Sequence, residues 1–508
     1  MTIFLLALLG IVVALAAWDV FQRKHSILRN FPIIGHFRYW LEWIGPEVRQ
    51  YLVTGNDAER PFSRDHRRWV YASAKRENRY FGFGTDNDLE TSPSYLIIKH
   101  ETLGYPGPPL EAHAGAPPAL PCAKVLGAHR ERAQSFRPAS LVNVSGMSFG
   151  SLGGHAIEAL NRGAKLAGCL QVTGEGGLSP HHCHGGDLVF QVGTGYFGCR
   201  DEHGHFDLER LAAVCDENPV RAIEIKLSQG AKPGLGGYLP AAKVTPEIAA
   251  ARGVPVGRAC ASPPRHSAFG DPDEMLDFVE RVAERTGLPV GVKSAVGEVD
   301  SWLEIARLMA TTERGLDFIT IDGGEGGTGA APLVSSDHVA LPFKLAFSRV
   351  YRIFAERGLH EKIVFAGSGR LGFPEEALLA LALGCDLVHV GREAMLALGC
   401  IQAQRCHTGR CPAGVATQNA WLQRGLDPAD KAQRVANYVS TLRFELIQLA
   451  QSCGVAHPAL VPTDRLEFVD DRFGSRTARE VFDYRESWGL PAAADRERIE
   501  KLMEHPAS

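Results

Sequence analysis

An α/β fold in which eight parallel strands close into a (β/α)8 barrel of the TIM type is predicted by three observations. The first is rhythm. From Leu141 onward short apolar runs alternate with amphipathic stretches, and LVNVSG, LQVTG, AIEIKL, PVGVKS, FITIDG, IVFAGS and LVHVG have the length and β-branched content of buried strands. The second is spacing, because seven such runs fall within roughly 250 residues, the usual size of a barrel of this kind. The third is loop chemistry: most runs end in a polar or glycine-bearing loop, and 54 glycines in 508 residues exceed the usual share of about 7%.

Helices are expected between the strands at Gly153–Ala167, Asp273–Arg285, Ser301–Thr312, Leu341–Arg357 and Pro374–Leu383. The eighth strand is placed around Gly257–Ser262. Residues 138–425 therefore form the barrel, residues 47–137 a small α+β cap without assigned chemistry, and residues 426–508 a C-terminal helical cap and tail. Within these flanks the stretch from Gly104 to Pro121 is rich in proline and glycine, helix is expected around Lys431–Cys453, and the charged tail from Arg476 to Glu504 reads as a solvated face.

Residues 1–46 read as an anchor and juxtamembrane segment. Ile3 to Trp18 is an uninterrupted apolar run, followed by Asp19 and the basic Arg23, Lys24 and Arg29. Its length is just short of the ~20 residues that span a bilayer, and Phe21, Trp40 and Trp43 extend or steady it at the interface. A charged region before the run, usual in a signal peptide, is missing, although Ala14-Leu15-Ala16 resembles a cleavage site; a buried core helix is the third reading. Basic residues after the run place the large domain in the cytoplasm, on a single span of the cell inner membrane.

A formal charge of −4, with 45% hydrophobic and 22% charged residues, describes an ordinary globular protein and gives no sign of a nucleic-acid partner. Eleven cysteines without a disulfide-like pattern fit reduced thiols. Three of them, Cys400, Cys406 and Cys411 in GCIQAQRCHTGRCP, are close enough to converge on one group. The spacing C-x5-C-x4-C is not a zinc ribbon and provides three thiolates, which suits a three-iron cluster better than a four-iron cube. Ordinary buried cysteines remain the alternative on spacing alone. His181, His182, Cys183 and His184 read as a polar loop, since adjacent residues project in different directions and no second ligand pair is suitably spaced.

The last two strand runs carry a phosphate signal, with Gly367, Ser368, Gly369 and Arg370 after one and Gly391 and Arg392 after the other. Barrel phosphate sites lie after strands seven and eight, where backbone N–H groups and an arginine bind the anion. Tight turns are the plainer reading of the same glycines. Neither the dinucleotide-fold glycine pattern nor a P-loop is present.

SGMSFGSLG, TGEGGLSP, KLSQGAKPGLGGYLP, DGGEGGTGAAP and GCIQAQRCHTGRCPAGVATQ, in this order over roughly Ser145–Gln418, resemble the FMN-binding synthase domain of glutamate synthases. The resemblance implies a barrel that holds FMN, a 3Fe-4S cluster on Cys400, Cys406 and Cys411, and reduction of 2-iminoglutarate, formed from 2-oxoglutarate and ammonia, to L-glutamate. It also implies an electron donor, ferredoxin or a reductase subunit. On the same basis Arg252 grips a substrate carboxylate, Lys232 belongs to the substrate site, and Glu175 handles protons near the imine. Lys226 and Lys293, at the ends of strand runs, place positive charge by the flavin ring, and Ser145, Met147, Ser148, Gln229, Gly327 and Thr328 complete the cofactor site with the two glycine loops.

Departures from the family pattern bear on the substrate. Leu235 and Leu178 stand where the family has glutamates, and Tyr238 replaces a substrate-contacting glutamine. The chain starts Met-Thr without the amidotransferase domain and lacks the C-terminal β-helical domain, so ammonia is expected to be free or delivered by a partner. An amine substrate such as methylamine, giving N-methylglutamate, and a catalytically inactive electron-transfer or scaffold subunit of a membrane complex are the alternative readings.

Overall fold

The computed structural model describes residues 2–22, 25–55, 58–77, 80, 82–107, 119–470, 472 and 474–504. Arg23, Lys24 and most of the proline- and glycine-rich stretch, residues 108–118, lie outside the described residues. The chain divides into two units, residues 1–68 and 69–508.

In the larger unit eight strands form a closed, wholly parallel barrel: β1 (Val142–Val144), β2 (Gln171–Val172), β3 (Leu188–Val192), β4 (Val220–Lys226), β5 (Val290–Ser294), β6 (Phe318–Asp322), β7 (Val364–Ser368) and β8 (Leu387–Val390). Each strand pairs with its neighbour in sequence, and β8 closes on β1 with Val388, His389 and Val390 opposite Val142, Asn143 and Val144. Seven of the eight strands are buried at every residue, and β4 departs only at Arg221 and Lys226, as expected of a parallel sheet covered by helices on its outside.

Seven strands fall on the predicted runs. The eighth does not: it is Leu188–Val192, third in order, while Cys260–Ala261 instead pairs antiparallel with Tyr238–Leu239 outside the barrel. The run LVFQV is apolar on both faces and is bounded by Gly185-Gly186-Asp187 and Gly193, which is the signature of a fully buried strand. Cys260–Ala261 has no such run.

The five predicted helices form, each within two residues of its expected ends, and of the helices not anticipated Leu208–Glu217 connects β3 to β4. Local chemistry accounts for their boundaries. Pro272–Thr286 begins at Asp271, whose Oδ1 accepts the N–H of Glu274 at 2.9 Å, has proline in its first turn and stops at Gly287 in the left-handed conformation. The 25-residue helix Pro428–Ser452 lies along Gly154–Ala167. Gly163 permits this approach, since a Cβ there would come within 2.7 Å of Val435 Cβ.

Residues 119–140 close the end of the barrel opposite the strand C-termini. Their bonds run to the residues that lead into strands: Gln134 N–H to Gly287 O, Arg132 to Asp317, and Lys124 Nζ to Ile363 O and Asp386. The C-terminal tail is less solvated than its charge suggests, because Tyr484 and Trp488 are buried and the Tyr484 hydroxyl donates to Leu383 O at 2.9 Å.

Lys124 and Asp386 form a buried pair at 3.0 Å, and the same Asp386 oxygen accepts the N–H of Phe365. Removing one partner strands a buried charge, which costs about 3–5 kcal/mol. Lys124→Met is therefore expected to lower unfolding stability by about that amount in chemical denaturation, with the barrel still formed at low denaturant.

Candidate functional site

A cavity of about 220 Å³ opens at the C-terminal ends of the barrel strands. All candidate residues line it except Gly367, Cys400 and Cys411. Strand alternation explains Gly367: Ser368 faces inward, so Gly367 faces the outer layer, where a Cβ would meet the ring of Phe343 at 2.7 Å.

Two lysines face each other in register on β4 and β5, Lys226 opposite Lys293. Each has a carboxylate. Lys226 Nζ lies 3.3 Å from Glu175 Oε2, and Lys293 Nζ 3.4 Å from Asp322 Oδ1. Burial pushes the Glu175 carboxyl up, but Lys226, Lys232 and Arg252 outweigh it and hold the group below the usual carboxylate range. Burial works against the charge on Lys293, and the carboxylates Asp322 and Glu224 reverse this and raise its pKa above the ordinary lysine value. Lys232 has only partial compensation from Glu175, so burial leaves its pKa lowered. Among the groups lining the pocket, Glu175 is held ionised, Lys293 is firmly charged and Lys232 gives up its proton more readily.

Asp322 does a second job. Its Oδ2 accepts the N–H of Gly230 at 2.7 Å, which pulls the loop after β4 over β6. Only glycine fits there, because a Cβ on Gly230 would sit 1.9 Å from Gly323 O. On the same loop Gln229 receives a hydrogen bond from Lys226 at 3.0 Å and donates to Gly327 O at 2.9 Å.

Arg252 ends the helix Pro246–Arg252 and is 5% exposed. Its Nη2 donates to Phe149 O at 3.1 Å and its guanidinium lies 5.1 Å from the ring centre of Phe197. Its Nε is buried without a hydrogen-bond partner among the described residues. Ser148 Oγ bonds Ser151 Oγ at 3.0 Å, and Ser145 Oγ lies 3.5 Å from Ser368 Oγ, so the loops after β1 and β7 meet across the cavity floor.

The donor set at β6–β8 fits a phosphate-bearing cofactor. Gly369 adopts φ +130°, and a Cβ on it would come within 3.2 Å of the Gly323 backbone, so glycine backbones from two loops pack against each other beside Arg370, Arg392, Gly391 and Thr328. Arg392 also donates to Glu325 O.

The three-cysteine loop follows the helix Arg392–Leu398. Cys406 lines the cavity, Cys400 is half-buried and Cys411 is buried. Burial raises the pKa of Cys406 and the neighbouring Cys411 adds to the effect. Among the described residues, however, no group of three or more His, Cys, Asp or Glu side chains is gathered so as to hold a metal ion. The three thiols are therefore not gathered around a single ion, and what bears on a cluster, whose thiolates bind different irons and stand further apart, is the spacing of the loop.

Three cavity residues escape the sequence reading. Asp322 ends a recognised strand, the position where barrel chemistry concentrates, and could have been found there. Gln191 lies on the strand that was misplaced. Lys243 had no sequence signal: it is buried, lines the cavity and donates to Cys406 O at 2.9 Å, tying the cysteine loop to the barrel. Of the departures, Tyr238 lines the cavity, whereas Leu178 and Leu235 do not.

A family model described as the conserved region in glutamate synthase matches residues 123–456. The chain belongs to the glutamate synthase family of oxidoreductases. It is similar to the glutamate synthase large subunit-like protein YerD of Bacillus subtilis (strain 168), with 38% identity over 492 residues, 90% of this chain and 93% of that protein. The archaeal glutamate synthase (NADPH) of Methanocaldococcus jannaschii is 36% identical over 318 residues, 62% of this chain and 59% of that protein's length. Among solved structures, a mandelate oxidase variant with a monooxide FMN adduct gives a TM-score of 0.42 at 16% identity, over 87% of this chain and 99% of that chain. That likeness is too distant to bear on the site.

His389, opposite Asn143 at the barrel seam, and His182 are both buried, and burial depresses each pKa to about 4. The unfolded imidazole titrates near 6.5, so the unfolded state binds protons first as the pH falls. The contribution is fully present above about pH 6.5 and is lost progressively toward pH 4. Denaturation followed against pH is expected to show stability falling through this window, and His389→Gln should flatten the slope.

Proposed function

We propose that this protein reduces 2-iminoglutarate, formed from 2-oxoglutarate and ammonia, to L-glutamate. The observation that carries the reading is the meeting, in one cavity at the strand C-termini, of the buried Arg252, a Lys226–Glu175 pair and glycine loops flanked by Arg370 and Arg392. When bound, FMN supplies the two-electron, hydride-equivalent chemistry that turns an imine into an amine. Ser145, Met147, Ser148, Gly327, Thr328, Ser368, Gly369 and Gly391 are proposed to hold it, with Arg370 and Arg392 at its phosphate and Lys293 beside its ring.

The chain's own groups divide the remaining work. Arg252 binds an oxo-acid carboxylate through a guanidinium already fixed by Phe149 O and Phe197, so little ordering is needed on binding. Lys232, with its lowered pKa, donates a proton to the nitrogen of the substrate. Glu175 works as a carboxylate, holding Lys226 charged and accepting a hydrogen bond from the imine or amine. A general-acid role at rest is disfavoured by its lowered pKa.

The reading includes a 3Fe-4S cluster on Cys400, Cys406 and Cys411, fed by ferredoxin or a reductase subunit. Its support is the C-x5-C-x4-C spacing and the family. It also includes single-pass attachment to the inner membrane with the catalytic domain in the cytoplasm, supported by the helix Thr2–Phe21, the one helix among the described residues long and apolar enough to cross a bilayer. Tyr238 at the cavity favours a second reading, a bulkier amine such as methylamine in place of ammonia.

The test is anaerobic. Chemically reduced protein mixed with 2-oxoglutarate and ammonia is expected to show reoxidised flavin and to form glutamate; a stable reduced flavin with ammonia but not with methylamine would transfer the reading to the second amine. Arg252→Ala is expected to weaken oxo-acid binding about 10- to 100-fold, the loss of a charge-assisted contact, with flavin retained. Cys406→Ser should remove iron and cluster absorbance without removing flavin, and full iron content would reject the ligand assignment.

A further inference from the structure

The first 68 residues hold an arrangement that the barrel chemistry does not use. Asp19 lies near the end of the helix Thr2–Phe21 and is the only buried residue of that helix. A carboxylate on so apolar a helix is costly unless it is paired. Its Oδ2 accepts the N–H of Ile33 at 2.9 Å, and its two oxygens lie 2.9 and 3.0 Å from His36 Nε2. The chain reverses at Ile33, which has φ +65°, and the end of the apolar helix is tied to the first turn of the helix Gly35–Val48. Cleavage at Ala14–Ala16 would separate this bond set from the helix that positions it.

The helix Gly35–Val48 is amphipathic. Phe37, Trp40, Leu41, Ile44 and Val48 follow the spacing i, i+3, i+4, i+7, i+11 and form one stripe. Arg38 and Glu42 pair at 2.7 Å along one edge of the stripe. The stripe is uncovered, with Phe37 60% and Trp40 52% exposed, and Trp43 beside it 66% exposed. A mostly apolar groove of about 530 Å³, lined by Ile27, Phe31, Ile34, Phe37 and Leu41 with the Arg38–Glu42 pair at its edge, lies beside the start of the stripe. Soluble proteins rarely leave a continuous apolar surface of this kind open.

Two features name its occupant. The surface is tied through Asp19 to the one described helix able to cross a bilayer. Its aromatic content is that of a membrane boundary, where tryptophan and tyrosine rings settle at headgroup level and amphipathic helices lie in the plane. We propose that the helix Gly35–Val48 lies in the lipid–water boundary of the membrane crossed by Thr2–Phe21, with Asp19 pinning the two together. This rests on the membrane reading of Thr2–Phe21 and adds a second, in-plane element to it.

The test uses the full chain and phosphatidylcholine vesicles whose acyl chains carry bromine at shallow or deep positions. Wild-type protein is expected to float with the vesicles and to show tryptophan emission quenched most by shallow bromine. Trp40→Phe/Trp43→Phe keeps the apolar stripe, so it should float equally and lose that shallow-quenched component, leaving the signal of Trp18, Trp69, Trp302, Trp421 and Trp488 common to both. Flotation with identical quenching in the two proteins would overturn the in-plane helix while leaving the anchor intact, and would assign the stripe to a protein partner. Failure to float would overturn the anchor and the proposal with it. Asp19→Leu, tested as the pin, should speed amide hydrogen exchange in residues 35–48 of the vesicle-bound protein; unchanged exchange would remove Asp19 from that role.

Discussion

Closure of the sheet between β8 and β1 is the constraint on which the site depends. A parallel sheet closed on itself sends every strand's C-terminal end to the same rim. Ser145, Glu175, Lys226, Lys293, Asp322, Ser368 and Gly391, spread over nearly half the chain, therefore ring a single cavity. The seam is polar on its inner side, with His389 beside Asn143 in register. This departs from the branched apolar filling usual in such barrels and makes the closure sensitive to acid.

Charge is managed at the rim by pairing. Two lysines adjacent in register would repel each other in a buried setting, and each is offset by a carboxylate from a different strand or loop. The same pairs serve the geometry: Asp322 draws the β4 loop inward through Gly230, and Gln229 then bridges to Gly327. Lys243 extends this logic to the cysteine loop, holding it by a backbone carbonyl. The loops after β4 and β6 and the cysteine loop are thus tied to the rim through a few polar contacts.

The two ends of the chain follow different physics. The tail after the barrel looks solvated by composition, yet Tyr484 and Trp488 bury against the barrel helices, where aromatic area outweighs the surrounding charge. The N-terminal helices keep their apolar residues exposed, which is stable only where something other than water covers them.

Much of the barrel was legible because buried parallel strands write themselves as apolar runs and the helices between them carry caps. LVFQV, and Gln191 within it, is masked by the loop of histidines and glycines that precedes it. The sequence by itself determined the barrel class, the strand ends that carry polar residues and the glycine loops, since these depend on local periodicity and backbone freedom. Only the tertiary structure decided which charges meet: that Glu175 faces Lys226, that Asp322 faces Lys293, that Gly367 turns away from the cavity and that Lys243 reaches the cysteine loop. Such pairings join residues far apart in the chain, and their distances are set by barrel closure, which no local pattern encodes.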